Sequence, residues 1–173
     1  MSKKPTPIDE EIQLESKKYI ISSTDTKGLI TDVNDYFVEI SGYSRDELIG
    51  KPHSIIRHPD MPKVVFKLMW KELQAGNDIL ALVKNLSKDG RYYWIFTTFE
   101  PVKNANGEVT GYTAHRKSAP KHTIETISDI YSKVLEVEKR DGVDASEKFL
   151  NDYLKERGEE ITFANLMDEI YKF

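Results

Sequence analysis

The alternation of apolar and polar residues divides the chain into a strand-rich first two thirds and a helical last third. β-Branched runs at 19–25 and 29–34 flank Thr26-Lys27-Gly28, a sequence typical of turns, and predict a β-hairpin. Three later runs, at 78–86, 91–102 and 109–117, are separated by Asp-Gly and Asn-Gly turn signals. They predict three consecutive antiparallel strands.

Two short helices and one longer helix are predicted between the hairpin and the later strands. Apolar positions recur at helical spacing over 62–76 and indicate an amphipathic helix. The caps and stops of the short helices are Asn34 or Asp35 with Gly42, and the Ser44–Glu47 capping box with Gly50. This order predicts an α+β fold, in which a five-stranded antiparallel sheet carries short helices on one face.

The two ends of the chain differ from this central segment. Residues 1–18 are polar and carry two prolines, which predicts a loose arm with at most one helical turn at its end. After Pro120, amphipathic patterns at 124–137, 145–158 and 163–173 predict three helices. The predicted organisation is an arm at 1–18, a sheet domain at 19–118 and a C-terminal helical segment at 119–173, packed on the sheet or on a partner.

Composition narrows the chemistry that the chain can perform. The net charge is −4 and the basic residues are scattered, which predicts no nucleic-acid partner. The absence of cysteine excludes disulfides, thiolate metal sites, covalently attached c-type haem and a cysteine nucleophile. No stretch approaches the roughly 18 apolar residues of a membrane span, which predicts a soluble, cytoplasmic protein that meets a membrane only through a partner. The common catalytic motifs are missing, so no enzymatic activity is expected.

The segment SIIRHPDMPKVVF, residues 54–66, is the most unusual polar stretch. Arg57, His58 and Asp60 stand together beside Pro59 and Pro62, whose rings restrict the backbone to a stiff geometry. Such a segment can form a preorganised polar wall for a ligand. It can also simply begin the following helix, with Asp60 as the N-cap.

Several blocks of sequence resemble one known family. GLITDVNDYFVEISGYSRDELIGKPHSIIRHPDMP, FKLMWKELQAG, LVKNLSKDGRYYWIF and GYTAHR together are similar to the PAS domain of bacterial aerotaxis receptors, over residues 19–118. The resemblance is greater still to the separate soluble PAS subunit of bipartite energy-taxis receptors. It implies non-covalent FAD whose redox state reports respiratory electron flow or oxygen to a chemoreceptor partner.

The resemblance also implies a set of cofactor-binding residues: Asn34, Arg57, His58, Asp60 and Asn85. One position departs from the family, because Ile79 stands where the aerotaxis receptor has a tryptophan tied to flavin binding. An aliphatic residue there removes an aromatic packing partner for the ring system.

The residue types fit these roles, although each has a simpler alternative. The Asn85 amide can both donate to and accept from a flavin edge, or it can bond backbone at a strand end. Arg57 suits a phosphate, or a salt bridge to Asp60 or Glu47. His58 could bond the cofactor, orient Asp60 or ligate haem iron.

Alternation along the last strand places Tyr112, Ala114 and Arg116 on one face and His115 on the other. If that face lines the family's pocket, Ala114 leaves room for the flavin ring and Arg116 approaches its redox-active edge. Alternatively, Arg116 is a rim residue paired with Glu100 or Glu108.

Two other functions remain open on the sequence. The fold could hold haem b, with His53, His58, His115 or His122 as the axial ligand. It could also be a ligand-free interaction module. A homodimer formed through the sheet or the N-terminal arm is a further option.

Overall fold

The structure, a computed structural model, describes residues 3–158 and 162–172. Within these residues, five strands and six α-helices follow one another in blocks. The strands are β1 (Ile20–Thr24), β2 (Ile30–Val33), β3 (Ile79–Leu86), β4 (Tyr92–Lys103) and β5 (Val109–Ser118). The helices are α1 (Asp35–Ser41), α2 (Arg45–Leu48), α3 (Lys63–Gln74), α4 (Lys121–Asp141), α5 (Val143–Lys155) and α6 (Phe163–Lys172), with a 3-10 helix at His53–Ile56.

The strands form one antiparallel sheet in the order β2-β1-β5-β4-β3, which confirms the predicted five-stranded sheet. The last strand joins the first hairpin, because β5 lies between β1 and β4. Its register sets Ile20 opposite Arg116 and Ser22 opposite Ala114. The two ends of the sheet domain therefore meet at its centre.

Local capping signals explain the two short helices. The Asn34 side-chain oxygen accepts from the N–H groups of Phe37 at 3.0 Å and Ile21 at 3.1 Å, so Asn34 rather than Asp35 is the N-cap. The predicted capping box of Ser44 and Glu47 is present at the start of α2. The 3-10 helix at 53–56 was not predicted, since it carries no periodic pattern of its own.

The C-terminal helices wrap around edge strand β3. The Tyr131 hydroxyl of α4 donates to the Leu82 carbonyl at 2.7 Å, and its ring stacks with Trp94. In α6, Met167 is buried and its sulfur lies 3.4 Å from the Leu82 nitrogen. Helices α1–α3 lie on the other face, so the tail adds a second helical layer that also covers an otherwise open sheet edge.

The N-terminal arm packs on the sheet instead of remaining loose. Ile12 is buried and donates its N–H to the Tyr92 carbonyl at 2.8 Å, while Tyr92 donates to Glu10 at 3.0 Å. A single turn at 15–18 replaces the helical turn that was expected. Within the described residues, no helix has the combination of length and apolar character that a bilayer crossing requires.

Candidate functional site

A cavity of about 440 Å³ lies between α3, the 3-10 helix and the inner face of the sheet. This volume falls within the range of small-molecule sites. Helix α3 presents one apolar face to it because its residues recur at helical spacing. The apolar part of the lining includes Phe66, Met69, Trp70, Leu73, Phe99, Tyr112 and Ala114. The interior is therefore largely apolar and rich in aromatic rings.

Asn85 supplies a polar group in this apolar wall. It is 4% exposed, and its side-chain nitrogen has no hydrogen-bond partner among the described residues. Buried amide groups are normally satisfied, because an unmade hydrogen bond leaves the desolvation cost uncompensated. No backbone group of the described residues accepts from this nitrogen, so the alternative in which it bonds backbone is not observed. The cross-strand neighbour of Asn85 is the buried Tyr93, whose hydroxyl also lacks a regular hydrogen-bond partner in the described residues. A ligand acceptor would satisfy this group.

Arg57 lies beside Asn85 through an isolated antiparallel backbone bridge. Its guanidinium sits 3.7 Å from the centre of the Phe66 ring, and its Nε has no partner in the described part of the chain. Burial lowers the pKa of Arg57, whose unperturbed value is high enough to keep the group charged. The predicted salt bridges do not form, since Asp60 pairs with Lys84 and Glu47 with Lys88.

The charged side chains that line the cavity are all cationic. Lys27, Arg57 and Lys67 contribute to the lining, whereas no aspartate or glutamate of the described residues does. Lys67 also contacts Asp144 and Glu147 of α5, so it is partly neutralised from outside. An anionic group on a ligand would meet favourable charge here.

Comparison with known proteins agrees with this geometry. The PAS fold family matches residues 30–115, which include most of the cavity lining. Over 131 residues the chain is 37% identical to the aerotaxis receptor of Escherichia coli (strain K12), covering 76% of this chain and 26% of that receptor. The core of this chain is a PAS domain. The resemblance to the aerotaxis-receptor type is thereby confirmed.

Solved structures share the fold of this PAS domain. The light-state blue-light photoreceptor Aureochrome1 LOV superposes with a TM-score of 0.56 at 18% identity, covering 66% of this chain and 90% of that chain. A light-oxygen-voltage domain studied with a flavin analogue gives 0.54 at 22% identity, covering 63% and 82%. These similarities establish the architecture. The chain spans about a quarter of the aerotaxis receptor, so the activity of that whole receptor is not carried over.

Behind the PAS cavity lies a buried arginine. Arg116 is 1% exposed, and its guanidinium contacts the Ser22 hydroxyl at 3.0 Å and the His53 Nε2 atom. Desolvation lowers the pKa of Arg116 to about 10. The alternative of a rim arginine paired with an acidic residue is wrong. Tyr112 and Ala114 line the cavity, whereas Arg116 touches two residues that do.

His53 is the functional candidate that sequence reasoning did not place in the pocket. It lines the cavity, and its Nε2 atom must accept from Arg116 because a guanidinium only donates. Desolvation and the Arg116 charge hold the pKa of His53 well below its usual value, so the ring is neutral. From the sequence, His53 was a candidate only for a haem ligand. No sequence pattern indicated the 3-10 helix that places His53 in the cavity lining.

Besides Arg116, three predicted cofactor residues lie outside the cavity lining. Asn34 caps α1, and its Nδ2 donates to the Tyr19 carbonyl at 2.9 Å. His58 is buried near Tyr92, with its Nδ1 accepting from the Asp60 N–H at 3.0 Å. Asp60 is exposed, pairs with Lys84 and does not cap α3, whose N-cap is Pro62. Cofactor contacts by these three residues stay predictions.

Ile79, which stands where the aerotaxis receptor has a tryptophan, also lies outside the cavity lining. Ile79 begins β3, is 4% exposed and pairs with Phe99, but it is not part of the lining. The aromatic wall that remains is built from α3 and β5, where Trp70 and Tyr112 meet edge to face at 5.1 Å. The aliphatic residue at position 79 therefore removes no wall of this cavity.

Proposed function

We propose that this chain is a non-catalytic redox sensor that holds FAD in its PAS cavity and signals to a chemoreceptor-type partner in energy taxis. The observation that carries the proposal is the unpaired, buried amide of Asn85 in an aromatic wall. The similarity to an aerotaxis receptor and to a light-oxygen-voltage domain studied with a flavin analogue supports the same choice.

The residues present fit a flavin. Trp70, Tyr112 and Phe66 offer flat apolar surface to a ring system, and the Asn85 amide suits its hydrogen-bonding edge. Arg57 and Lys27 would hold the phosphate groups by charge. The bound flavin would supply a reversible change of charge and hydrogen-bonding state on reduction.

The chain itself offers a route from the cavity to its outer surface. Asn85 lies on β3 three residues from Leu82, whose carbonyl accepts the Tyr131 hydroxyl of α4. A shift in the hydrogen bonds of Asn85 would displace this strand and the helix docked on it. The surface formed by the C-terminal helices is the proposed contact for the receptor partner.

Haem is the less favoured cofactor. His53 is the one histidine of the described residues that lines the cavity, and its Nε2 is already held by Arg116. His58 uses its Nδ1 atom to accept from a backbone N–H, while His122 is exposed on α4. His115 and His122 do not line the cavity, so a haem held there by His53 would have to displace the contact between His53 and Arg116.

The absorbance spectrum of the purified protein, before and after dithionite, tests the proposal. We expect a two-band flavin spectrum that bleaches on reduction, and FAD in the supernatant after heat denaturation. Ala114→Leu should fill the cavity and abolish FAD binding, whereas Ala105→Leu, in an exposed turn, should not. A Soret band would establish the haem alternative. If no FAD stays bound to the protein after FAD has been added and the excess removed, the ligand-free module is favoured.

A further inference from the structure

The pocket helix α3 is capped by a residue from the C-terminal segment. Glu138 of α4 accepts from the backbone N–H groups of Lys63 at 2.8 Å and Val64 at 3.1 Å. No side chain near α3 in sequence performs this task, because its N-cap is Pro62. The first turn of α3 therefore depends on a carboxylate 75 positions away.

The same carboxylate joins three helices. The Ser146 hydroxyl of α5 is buried and lies 2.8 Å from the Val143 carbonyl oxygen and 3.2 Å from the second oxygen of Glu138, so its one proton has two acceptors. A helix N-terminus leaves unpaired N–H groups and carries partial positive charge, so an acidic side chain there is stabilising. Glu138 thus links the start of α3 to α4 and lies against Ser146 of α5.

Helix α3 also forms one wall of the cavity. Phe66, Met69 and Trp70 line the cavity within two turns of the capped N–H groups. A second contact reinforces the first, since Lys67 lines the cavity and pairs with Glu147 of α5. The helix that must accommodate a ligand is therefore the helix on which the C-terminal segment docks.

We propose that Glu138 couples filling of the cavity to docking of the C-terminal helices. A ligand that packs against Trp70 fixes α3 in the position that Glu138 caps, so each event strengthens the other. Thermodynamic linkage makes this effect reciprocal. The inference rests on the proposed binding of a flavin in the cavity and adds the residue by which that binding reaches the tail.

Hydrogen–deuterium exchange of the full chain, with and without FAD, tests the coupling in Glu138→Gln and Glu138→Ala. Glu136→Gln is the matched control, because Glu136 is exposed on the same helix and has no salt bridge in the described part of the chain. Without FAD, both Glu138 variants should exchange faster than the control at 63–70. FAD should slow exchange at 121–141 in the wild type and the control but not in the Glu138 variants. The affinity of the Glu138 variants for FAD should be lower by a factor on the order of five or more.

The outcomes separate the two proposals. Unchanged exchange at 63–70 in both Glu138 variants overturns the coupling, whatever FAD does. Equal FAD affinity and equal protection of 121–141 in all proteins overturn it as well, while leaving flavin binding intact. Failure of every protein to bind FAD overturns the proposed function and the ligand coupling with it. In that case, faster exchange at 63–70 would still identify Glu138 as the cap of α3.

Discussion

Asn85 faces Arg57 across an antiparallel backbone bridge that fastens the proline-containing segment to edge strand β3. Both residues line the cavity, and each has a buried side-chain nitrogen without a partner in the described structure. Two neighbouring buried donors without partners are costly to the fold. Their cost is offset if a ligand accepts hydrogen bonds from them.

Replacing Asn85 by leucine should separate stability from binding. The variant removes the unpaired amide at similar volume, so the unfolding free energy of the ligand-free protein should rise by about 1 kcal/mol. Its affinity for FAD should fall about tenfold, which corresponds to roughly 1.4 kcal/mol. Urea unfolding and FAD titration measure the two effects.

Thr97→Val is the matched control for this substitution. Thr97 is fully buried and its hydroxyl is also unpaired, but the residue does not line the cavity. Its replacement should stabilise the ligand-free protein to a similar extent and leave FAD affinity unchanged. Wild-type affinity in the Asn85 variant would show that this amide does not bind the flavin.

Features encoded by neighbouring residues were predictable. The Asn34 cap, the Ser44–Glu47 box and the Asn-Gly turn act within a few positions, so their chemistry can be seen in a short window. The sheet followed from the strand patterns and hairpin signals. The family resemblance then supplied Asn85 and Arg57, both of which line the cavity.

Features created by distant contacts were not predictable. The His53–Arg116 contact joins residues 63 positions apart, and no local pattern indicates that an arginine on β5 will be buried. The capping of α3 by Glu138 has no local signal either, because its partners Lys63 and Val64 are 75 and 74 positions away. The arm was expected to be loose because it is polar and carries two prolines. Its pairing with Tyr92 could not be predicted, since it depends on the start of strand β4.

Arg116→Met should raise the pKa of His53. The Arg116 charge is one of the causes that depress this pKa, and its removal eases protonation of the ring. NMR titration of the His53 ring protons measures the change. Lys117→Met is the control, because Lys117 contacts Tyr171 and should leave the pKa of His53 unchanged. An unaltered pKa in the Arg116 variant would mean that the two groups are not coupled.

Gly90→Ala should release the N-terminal arm from the sheet. Gly90 has a φ of +94°, and an added Cβ would collide with the Thr6 carbonyl oxygen. Hydrogen exchange at residues 8–12 should therefore increase, because their bonds to Gly90 and Tyr92 are lost. The unfolding free energy should fall by more than the roughly 1 kcal/mol of a strained backbone.

Gly107→Ala isolates the backbone contribution in that experiment. Gly107 has a similar φ of +78°, but an added Cβ meets nothing within 4 Å. The unfolding free energy of this variant should fall only by the cost of the strained backbone. Residues 8–12 should stay protected from hydrogen exchange. Equal exchange at residues 8–12 in both variants would contradict the close packing of Thr6 on Gly90.

His58 should make the protein less stable as the pH falls. Desolvation, followed by the charge of Lys84, lowers the pKa of His58 to about 4 from an ordinary value of 6.5, against the opposing effect of Asp60. Between these values the unfolded chain binds a proton that the folded chain does not, so unfolding becomes easier with acid. Urea unfolding should show stability decreasing from about pH 6.5 to about pH 4, and His58→Gln should reduce the slope.

Lys84→Met should raise the pKa of His58 in an NMR titration, since it removes a positive neighbour and leaves Asp60 in place. A His58 ring that titrates at its ordinary pKa would contradict the buried contact with Tyr92.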